Sequence, residues 1–220
     1  MDRRRLLDNG YIDWLKSIGC ILYLPLSYNG DLTDRISGRS LILSGNGSMV
    51  WNNAEMMYSI TQPSALWQGV ATLSNGLNST WFPNDRYTSL QSVKKITNNN
   101  TLFISAGPSP ITTTSENTIN AIGAYYNASG RTSGFPSTLA KVAYSSEGTN
   151  GRNYYQNGSL YNHYAYYEPY LPSNWVQTSD GVAIGQVGSA SRYGVSYYLK
   201  DVYLFDTDLD LTTIRKIQGL

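Results

Sequence analysis

The chain has 220 residues, a formal net charge of +1 and only 14% charged residues. A charge this small cannot neutralise many phosphates, so we expect no nucleic-acid partner. The single cysteine, Cys20, excludes an internal disulfide and permits folding in a reducing cytosol. The opening MDRRRLLDNGYIDWLKSIG holds no continuous apolar run, and no stretch reaches the roughly 20 apolar residues of a membrane span. We therefore predict neither a signal peptide nor a membrane partner.

The N-terminal part of the sequence predicts a short helix followed by a strand. Tyr11–Ile18 carries apolar side chains at helical spacing. Residues 20–26, CILYLPL, form two alternating sets of side chains, which is typical of a strand. The alternation predicts that Cys20, Leu22 and Leu24 share one face.

The middle of the chain is punctuated by Asn-Gly pairs, which tolerate the positive φ angles of tight turns. They occur at 9–10, 29–30, 46–47, 75–76, 150–151 and 157–158. Runs rich in β-branched and aromatic residues predict strands at 101–106, 175–178 and 196–205. Two polar segments, residues 107–119 and 127–151, are predicted to be long loops.

The segment RNYYQNGSLY, residues 152–161, predicts a hairpin with an Asn-Gly turn at its centre. Since alternate residues of a strand share a face, Tyr154 and Gln156 should point away from Tyr155. We expect one tyrosine of the pair to pack in the core and the other to be available for contact.

The C-terminal segment predicts a helix over Leu211–Gln218, capped by Asp210 and ended by Gly219. Helical periodicity is nearly absent elsewhere. We therefore predict an N-terminal extension over residues 1–18 and one β-domain over residues 19–220.

Three segments, in this order, resemble the jelly-roll domains of the laminin-G-like and concanavalin A-like family of lectins and glucanases. Residues 22–47 resemble the family's opening, with Asp34 and Gly38 in the places of its Asp and Gly. Residues 154–160, YYQNGSL, resemble its aromatic hairpin, and residues 182–217 resemble its closing strands and helix. The resemblance implies an all-β fold, an antiparallel two-sheet jelly-roll β-sandwich with short N-terminal and C-terminal helices.

The sequence lacks the motifs of catalysis and metal binding. Glucanases of this fold class use a Glu-x-Asp-x-x-Glu strand with carboxylates about 5 Å apart, and the chain has no Glu-x-Asp pair. Asp206–Asp210 resembles the start of a calcium loop but lacks its glycine and final glutamate, so we interpret it as an acidic turn and a helix cap. The lone histidine, His163, cannot supply a zinc site. We predict no catalytic residue, no metal and no cofactor.

The remaining candidates for contact are mostly aromatic. Tyrosine buries a large rigid area and keeps a polar tip, which suits protein interfaces and sugar-binding platforms. The predicted ligand or interface residues are Tyr155, Tyr161, His163, Tyr164, Tyr166, Tyr167, Tyr170 and Trp175. The 1–18 extension is predicted to be a docking arm, or alternatively a helix packed on its own sandwich. Its predicted apolar anchors are Leu6, Leu7, Trp14 and Leu15.

These observations leave three functions open. The first is a non-enzymatic structural or binding protein of a virion. The leaderless chain, with uncharged Asn, Ser, Thr, Gly and Tyr dominating its surface-prone segments, resembles head-fibre, capsid-decoration and tail-associated proteins of tailed phages, including the crAss-like group. Such a protein would fold in the host cytoplasm, form a homo-oligomer, contact other virion proteins and present a lectin-like domain to a glycan. The second is a carbohydrate-binding module at a bacterial surface. The third is a glycoside hydrolase.

Overall fold

The computed structural model describes residues 9–43, 47–62, 70–74, 86–96, 104–106, 138–147, 152–164, 181–184 and 195–220. These residues form two antiparallel sheets and two short helices, which confirms the predicted all-β sandwich. Within them, neither helix is long and apolar enough to cross a membrane.

The larger sheet has eight strands. They are β1 (Cys20–Leu24), β3 (Ser48–Asn52), β4 (Met57–Gln62), β6 (Arg86–Lys95), β8 (Ala140–Glu147), β9 (Arg152–Gln156), β10 (Ser159–Tyr164) and β12 (Val195–Phe205). Their order is β10-β9-β8-β6-β12-β4-β3, and β1 also pairs with β12.

The smaller sheet has four strands in the order β2-β5-β11-β7. They are β2 (Ile42–Leu43), β5 (Ala71–Ser74), β7 (Ile104–Ala106) and β11 (Gly181–Ile184). The two helices are α1 (Asn9–Ser17) and α2 (Leu211–Gln218).

Both faces of the larger sheet are covered. On one face, Leu22, Ile60 and Leu199 cluster with Ala71 and Ile184 of the smaller sheet, and we call this cluster the inter-sheet core. Burying aliphatic side chains between two sheets is the main source of stability in a sandwich.

The opposite face of the larger sheet lies under the two helices. Leu15 of α1 and Ile214 of α2 cluster with Tyr23, Tyr203 and Phe205, and we call this cluster the helix-side core. The rings of Tyr23 and Tyr203 stack with centroids 4.3 Å apart. The larger sheet is therefore a middle layer between the helices and the smaller sheet.

Strand β12 changes its neighbour at Asp201. Its first half pairs with β4, and its second half, from Val202 onward, pairs with β1. On its other side it pairs with β6, with a register shift between Lys200 and Val202. Asp201 lies in this bulge with φ of 51°, a left-handed conformation that aspartate tolerates better than most residues.

A second bulge corrects the predicted faces of β1. The register shifts between Cys20 and Leu22. Cys20 consequently joins Tyr23 in the helix-side core, whereas Leu22 and Leu24 lie in the inter-sheet core. The prediction that Cys20 shares a face with those leucines is wrong, because the bulge interrupts the alternation.

The helices lie close to their predicted positions. Helix α1 begins at Asn9 rather than Tyr11, so the Asn-Gly pair at 9–10 starts a helix instead of a turn. Helix α2 has the predicted bounds: the Asp210 side chain accepts a hydrogen bond from the Thr213 N–H, and Gly219 ends the helix with φ of 65°.

The described part of the N-terminal extension packs on its own sandwich. Leu15 is fully buried, and Trp14 packs at the edge of the helix-side core, with Lys216 Nζ 4.4 Å from its ring centroid. Leu15 is therefore not an accessible anchor. Leu6 and Leu7 lie outside the described residues, and a docking role for the extension stays a prediction.

The predicted loop over 127–151 is wrong for its second half. Ala140–Glu147 forms β8, a central strand between β6 and β9. Its small residues suit a position where the sheet is covered on both faces, and Ala140 and Ala143 are 1% exposed. The predicted strand at 175–178 and the predicted loop at 107–119 lie outside the described residues.

Candidate binding surface at the β9–β10 hairpin

The β9–β10 hairpin turns tightly at Asn157 and Gly158. Their φ angles of 49° and 72° are the positive values that a two-residue hairpin turn requires. The Asn157 N–H donates to the Lys141 carbonyl at 2.8 Å, and the Asn157 side-chain oxygen accepts from the Lys141 N–H at 2.9 Å. These two bonds fasten the turn to β8.

The paired tyrosines of β9 lie on opposite faces, as predicted. Tyr154 belongs to the inter-sheet core and Tyr155 to the helix-side core. Both are only 9% exposed. The prediction that Tyr155 is available for contact is wrong, because the helices cover the face on which it lies.

Tyr161 is the exposed tyrosine of this hairpin. It lies at a register shift between Leu160 and Asn162 of β10, which is the edge strand of the larger sheet. Tyr161 is 56% exposed and Leu160 is 55% exposed. The Tyr161 ring meets the Tyr154 ring edge to face, with centroids 5.8 Å apart, so a buried aromatic residue supports an accessible one.

A chain of three polar side chains crosses the sheet beside this hairpin. The Asn153 amide nitrogen donates to a Glu147 carboxylate oxygen. The Asn153 amide oxygen then faces His163 Nδ1 at 2.7 Å. A carboxylate can only accept, which fixes the orientation of the amide and places the donated proton on His163 Nδ1.

His163 therefore sits on the surface in a defined tautomer, on the same strand as Tyr161. Tyr164 ends β10, and its Cα pairs with Arg152. The predicted contact residues Tyr166, Tyr167, Tyr170 and Trp175 lie outside the described residues. Of the predicted set, Tyr161 and His163 are thus both exposed on β10. Tyr161 packs on Tyr154 and His163 contacts Asn153, and these two neighbouring residues of β9 point to opposite faces of the sheet.

Both glutamates among the described residues are engaged in structural contacts. Glu55 pairs with Lys94 at 2.7 Å, and Glu147 accepts from Asn153. Glu116 and Glu168 lie outside the described residues. Among those described, no group of three His, Cys, Asp or Glu side chains is arranged to hold a metal ion.

Asp34, at the Asp position of the resemblance, stabilises a turn. It is 1% exposed. Its carboxylate accepts from the N–H groups of Tyr23 at 2.8 Å, Ile36 at 3.1 Å and Ser37 at 3.0 Å. This carboxylate holds the opening strand to the following turn.

A cavity near Asp201 was not predicted from the sequence. It has a volume of about 280 Å³ and lies where β6, β8 and β12 meet the end of α2. Burial raises the pKa of the Asp201 carboxyl, and the Ser27 hydrogen bond and the Lys200 and Lys141 charges oppose that rise. Ser27 Oγ donates to Asp201 at 2.5 Å. The sequence hides the bulge because β12 is apolar at both odd and even positions.

No protein-family model matches this sequence, and no curated protein matches it. Solved structures do match its fold. Trypanosoma rangeli sialidase in complex with sialic acid is 14% identical with a TM-score of 0.56, over 90% of this chain and 32% of that chain. The binding domain of botulinum neurotoxin serotype D is 12% identical with a TM-score of 0.53, over 91% of this chain and 51% of that one.

A further match is botulinum neurotoxin type C, described as interacting with two ganglioside molecules. It is 11% identical with a TM-score of 0.57, over 96% of this chain and 52% of that chain. The chain thus spans about a third of the sialidase and about half of the toxin chains. At these identities the likeness shows the fold alone, a β-sandwich.

Proposed function

We propose that this protein is a non-enzymatic, lectin-like binding protein whose β9–β10 hairpin contacts a glycan. The observation that carries the proposal is the exposed Tyr161 ring, which packs edge to face on the buried Tyr154 ring at the edge strand of the larger sheet. An aromatic ring packs against the C–H face of a sugar, and fixed polar groups select among its hydroxyls. The matched structures support this use of the fold, since their descriptions mention sialic acid and gangliosides.

A glycan array followed by titration of the best binder tests the proposal. Replacing Tyr161 with alanine should weaken glycan binding by about tenfold, or ~1.4 kcal/mol, with little change in thermal stability. Val50→Ala is the matched control, because Val50 is 59% exposed on β3, the opposite edge of the same sheet. Unchanged affinity in Tyr161→Ala would place the glycan elsewhere, and no binding to any glycan at about 1 mM would end the proposal.

We further propose that the binding domain is displayed on the virion of a tailed phage, together with copies of itself and other virion proteins. The support is the sequence resemblance to head-fibre, capsid-decoration and tail-associated proteins. Mass spectrometry of purified virions tests the location. If the protein is absent from the particles, the virion role is excluded. Glycan binding would then be the role of a carbohydrate-binding module at a bacterial surface.

The same glycan distinguishes binding from the glycoside hydrolase alternative. If the protein only binds, the glycan should keep its chain length in chromatography after incubation with the protein. Release of a shorter sugar would replace binding with hydrolysis as the function.

A further inference from the structure

The cavity near Asp201 lies apart from the hairpin surface, on the helix-covered face of the larger sheet. Its volume of about 280 Å³ is close to the lower end of the roughly 300–1,000 Å³ range of small-molecule pockets. This size suits one small ligand rather than an oligosaccharide. The cavity lies beside the bulge at Asp201, where β12 pairs with β6 beneath the end of α2.

One wall of the cavity offers a hydrogen-bond acceptor that has no donor. Gln218 is 7% exposed, and its side-chain nitrogen donates to the Val142 carbonyl at 3.2 Å. Its side-chain oxygen is buried and has no hydrogen-bond partner. Buried acceptors are normally satisfied, so this oxygen points to a ligand that donates a hydrogen bond.

The charged groups of the cavity favour an anion. Lys141 and Lys200 line it with Asp201, so the lining residues carry two ammonium groups and one carboxylate. Ser27 holds one Asp201 oxygen, and Lys141 Nζ donates to the Gln218 main-chain carbonyl. We assign the contact with the ligand's negative charge to Lys200, because Lys141 already donates to the end of α2.

Leu90, Tyr203 and Ile217 form the apolar part of the lining. All three belong to the helix-side core, so this wall is rigidly packed. A sugar ring presents C–H groups on one face and hydroxyls at its edge, which matches an apolar wall next to polar groups.

We propose that this cavity is a second binding site, which takes a carboxylate-bearing monosaccharide, either as a free sugar acid or as the terminal residue of a glycan. The carboxylate contacts Lys200, the hydroxyls donate to Gln218 Oε1 and Asp201, and the ring packs against Tyr203 and its apolar neighbours. The site is independent of the hairpin proposed above.

Titration of the full-length protein with D-glucuronate, followed by NMR or calorimetry, tests the proposal. A ligand of this size with few contacts should bind with a Kd on the order of 1 mM. D-glucose, which lacks the carboxylate, should bind at least about tenfold more weakly. Methyl β-D-glucuronide distinguishes a glycan terminus from a free sugar acid. If it binds as tightly as D-glucuronate, the site accepts a glycan terminus, and if it does not bind, the site takes a free sugar acid.

Two variants locate the site. Lys200→Gln should weaken glucuronate binding by at least about tenfold, whereas Lys16→Gln, an exposed lysine on α1, should not change it. Gln218→Leu removes the unpaired acceptor without changing charge and should also weaken binding. Thermal melting shows that each variant is folded.

Three results would overturn the proposal: no glucuronate binding, equal affinity for glucose, or wild-type affinity in both cavity variants. Tyr161→Ala should leave glucuronate binding unchanged, and Lys200→Gln should leave array binding to the hairpin unchanged. Failure of either proposed site is thus separable from failure of the other.

Discussion

Arg215 Nε donates a hydrogen bond of 2.7 Å to the carbonyl oxygen of Gly158, so the C-terminal helix holds the tight turn of the β9–β10 hairpin. A Cβ at position 158 would lie 3.0 Å from Leu220 Cδ1 and 3.1 Å from Arg215 Cγ. The turn and α2 are therefore in close contact. The hairpin is held in place by α2 on one side and by its hydrogen bonds to β8 on the other.

Gly158→Ala should lower the free energy of unfolding by more than the cost of placing an alanine at a positive φ. The left-handed conformation costs an alanine about 1–2 kcal/mol, and crowding against α2 adds to that cost. Gly38→Ala is the matched control, because Gly38 has φ of 74° and nothing within 4 Å of its added Cβ. Urea unfolding measures both variants, and equal losses would contradict the close packing of the turn against the helix.

Asp210→Ala should reduce the free energy of unfolding by about 1 kcal/mol, because it removes the N-cap of α2. The hydrogen bonds from Thr213 lower the pKa of Asp210 below its usual 3.8. The carboxylate therefore stabilises the fold above pH 3.8, and this contribution is lost as the pH falls through the lowered pKa. Thr212→Ala on the same turn is the control. A difference in stability between wild type and Asp210→Ala that stays constant down to pH 2 would exclude this effect.

Asp201→Asn should gain stability relative to wild type as the pH rises. Burial raises the pKa of this carboxyl above 3.8, despite the Ser27 hydrogen bond and the nearby Lys200 and Lys141 charges. The folded state is therefore penalised as the carboxyl ionises, starting near pH 3.8 and complete above the raised pKa. Asparagine tolerates the same positive φ and keeps an acceptor for Ser27. Denaturant unfolding at several pH values measures the difference in free energy of unfolding between the two proteins. The prediction is refuted if Asp201→Asn loses stability relative to wild type as the pH rises.

Cys20 should be unreactive in the folded protein. Its side chain is 4% exposed and its thiol donates to the Leu22 carbonyl at 3.2 Å. Burial raises the pKa of the thiol well above its usual range, so the reactive thiolate is suppressed. A colorimetric thiol reagent at pH 8 should label it only on unfolding, with full labelling in denaturant as the control. Rapid labelling of the native protein would show that β1 opens readily.

The sequence could predict those elements that depend on local chemistry. Helix α2 was predicted to the residue because Asp210 and Gly219 are side-chain and backbone signals at its two ends. The β9–β10 turn was predicted because Asn157 and Gly158 suit positive φ. Alternation failed in β1 because of the bulge between Cys20 and Leu22. The sequence does not show this bulge, since a strand covered on both faces is apolar at odd and even positions alike.

The candidate binding surface was predictable only in part. The density of tyrosines drew attention to the β9–β10 hairpin, and Tyr161 is exposed there. The burial of Tyr155 depends on helices that lie far away in sequence. The cavity depends on a bulge and on a contact between Ser27 and Asp201, which are 174 positions apart, and no local pattern reports such a contact.

The pairing of β1 with β12 has a mechanical consequence. Cys20 lies opposite Phe205, and Leu24 lies opposite Val202, so the two strands run antiparallel with α1 and α2 leaving from the same end. Tension pulling α1 and α2 apart would load these hydrogen bonds one after another, as in a zipper, because antiparallel bonds lie across the strands. The fold should therefore yield at low force when it is pulled through its two helices.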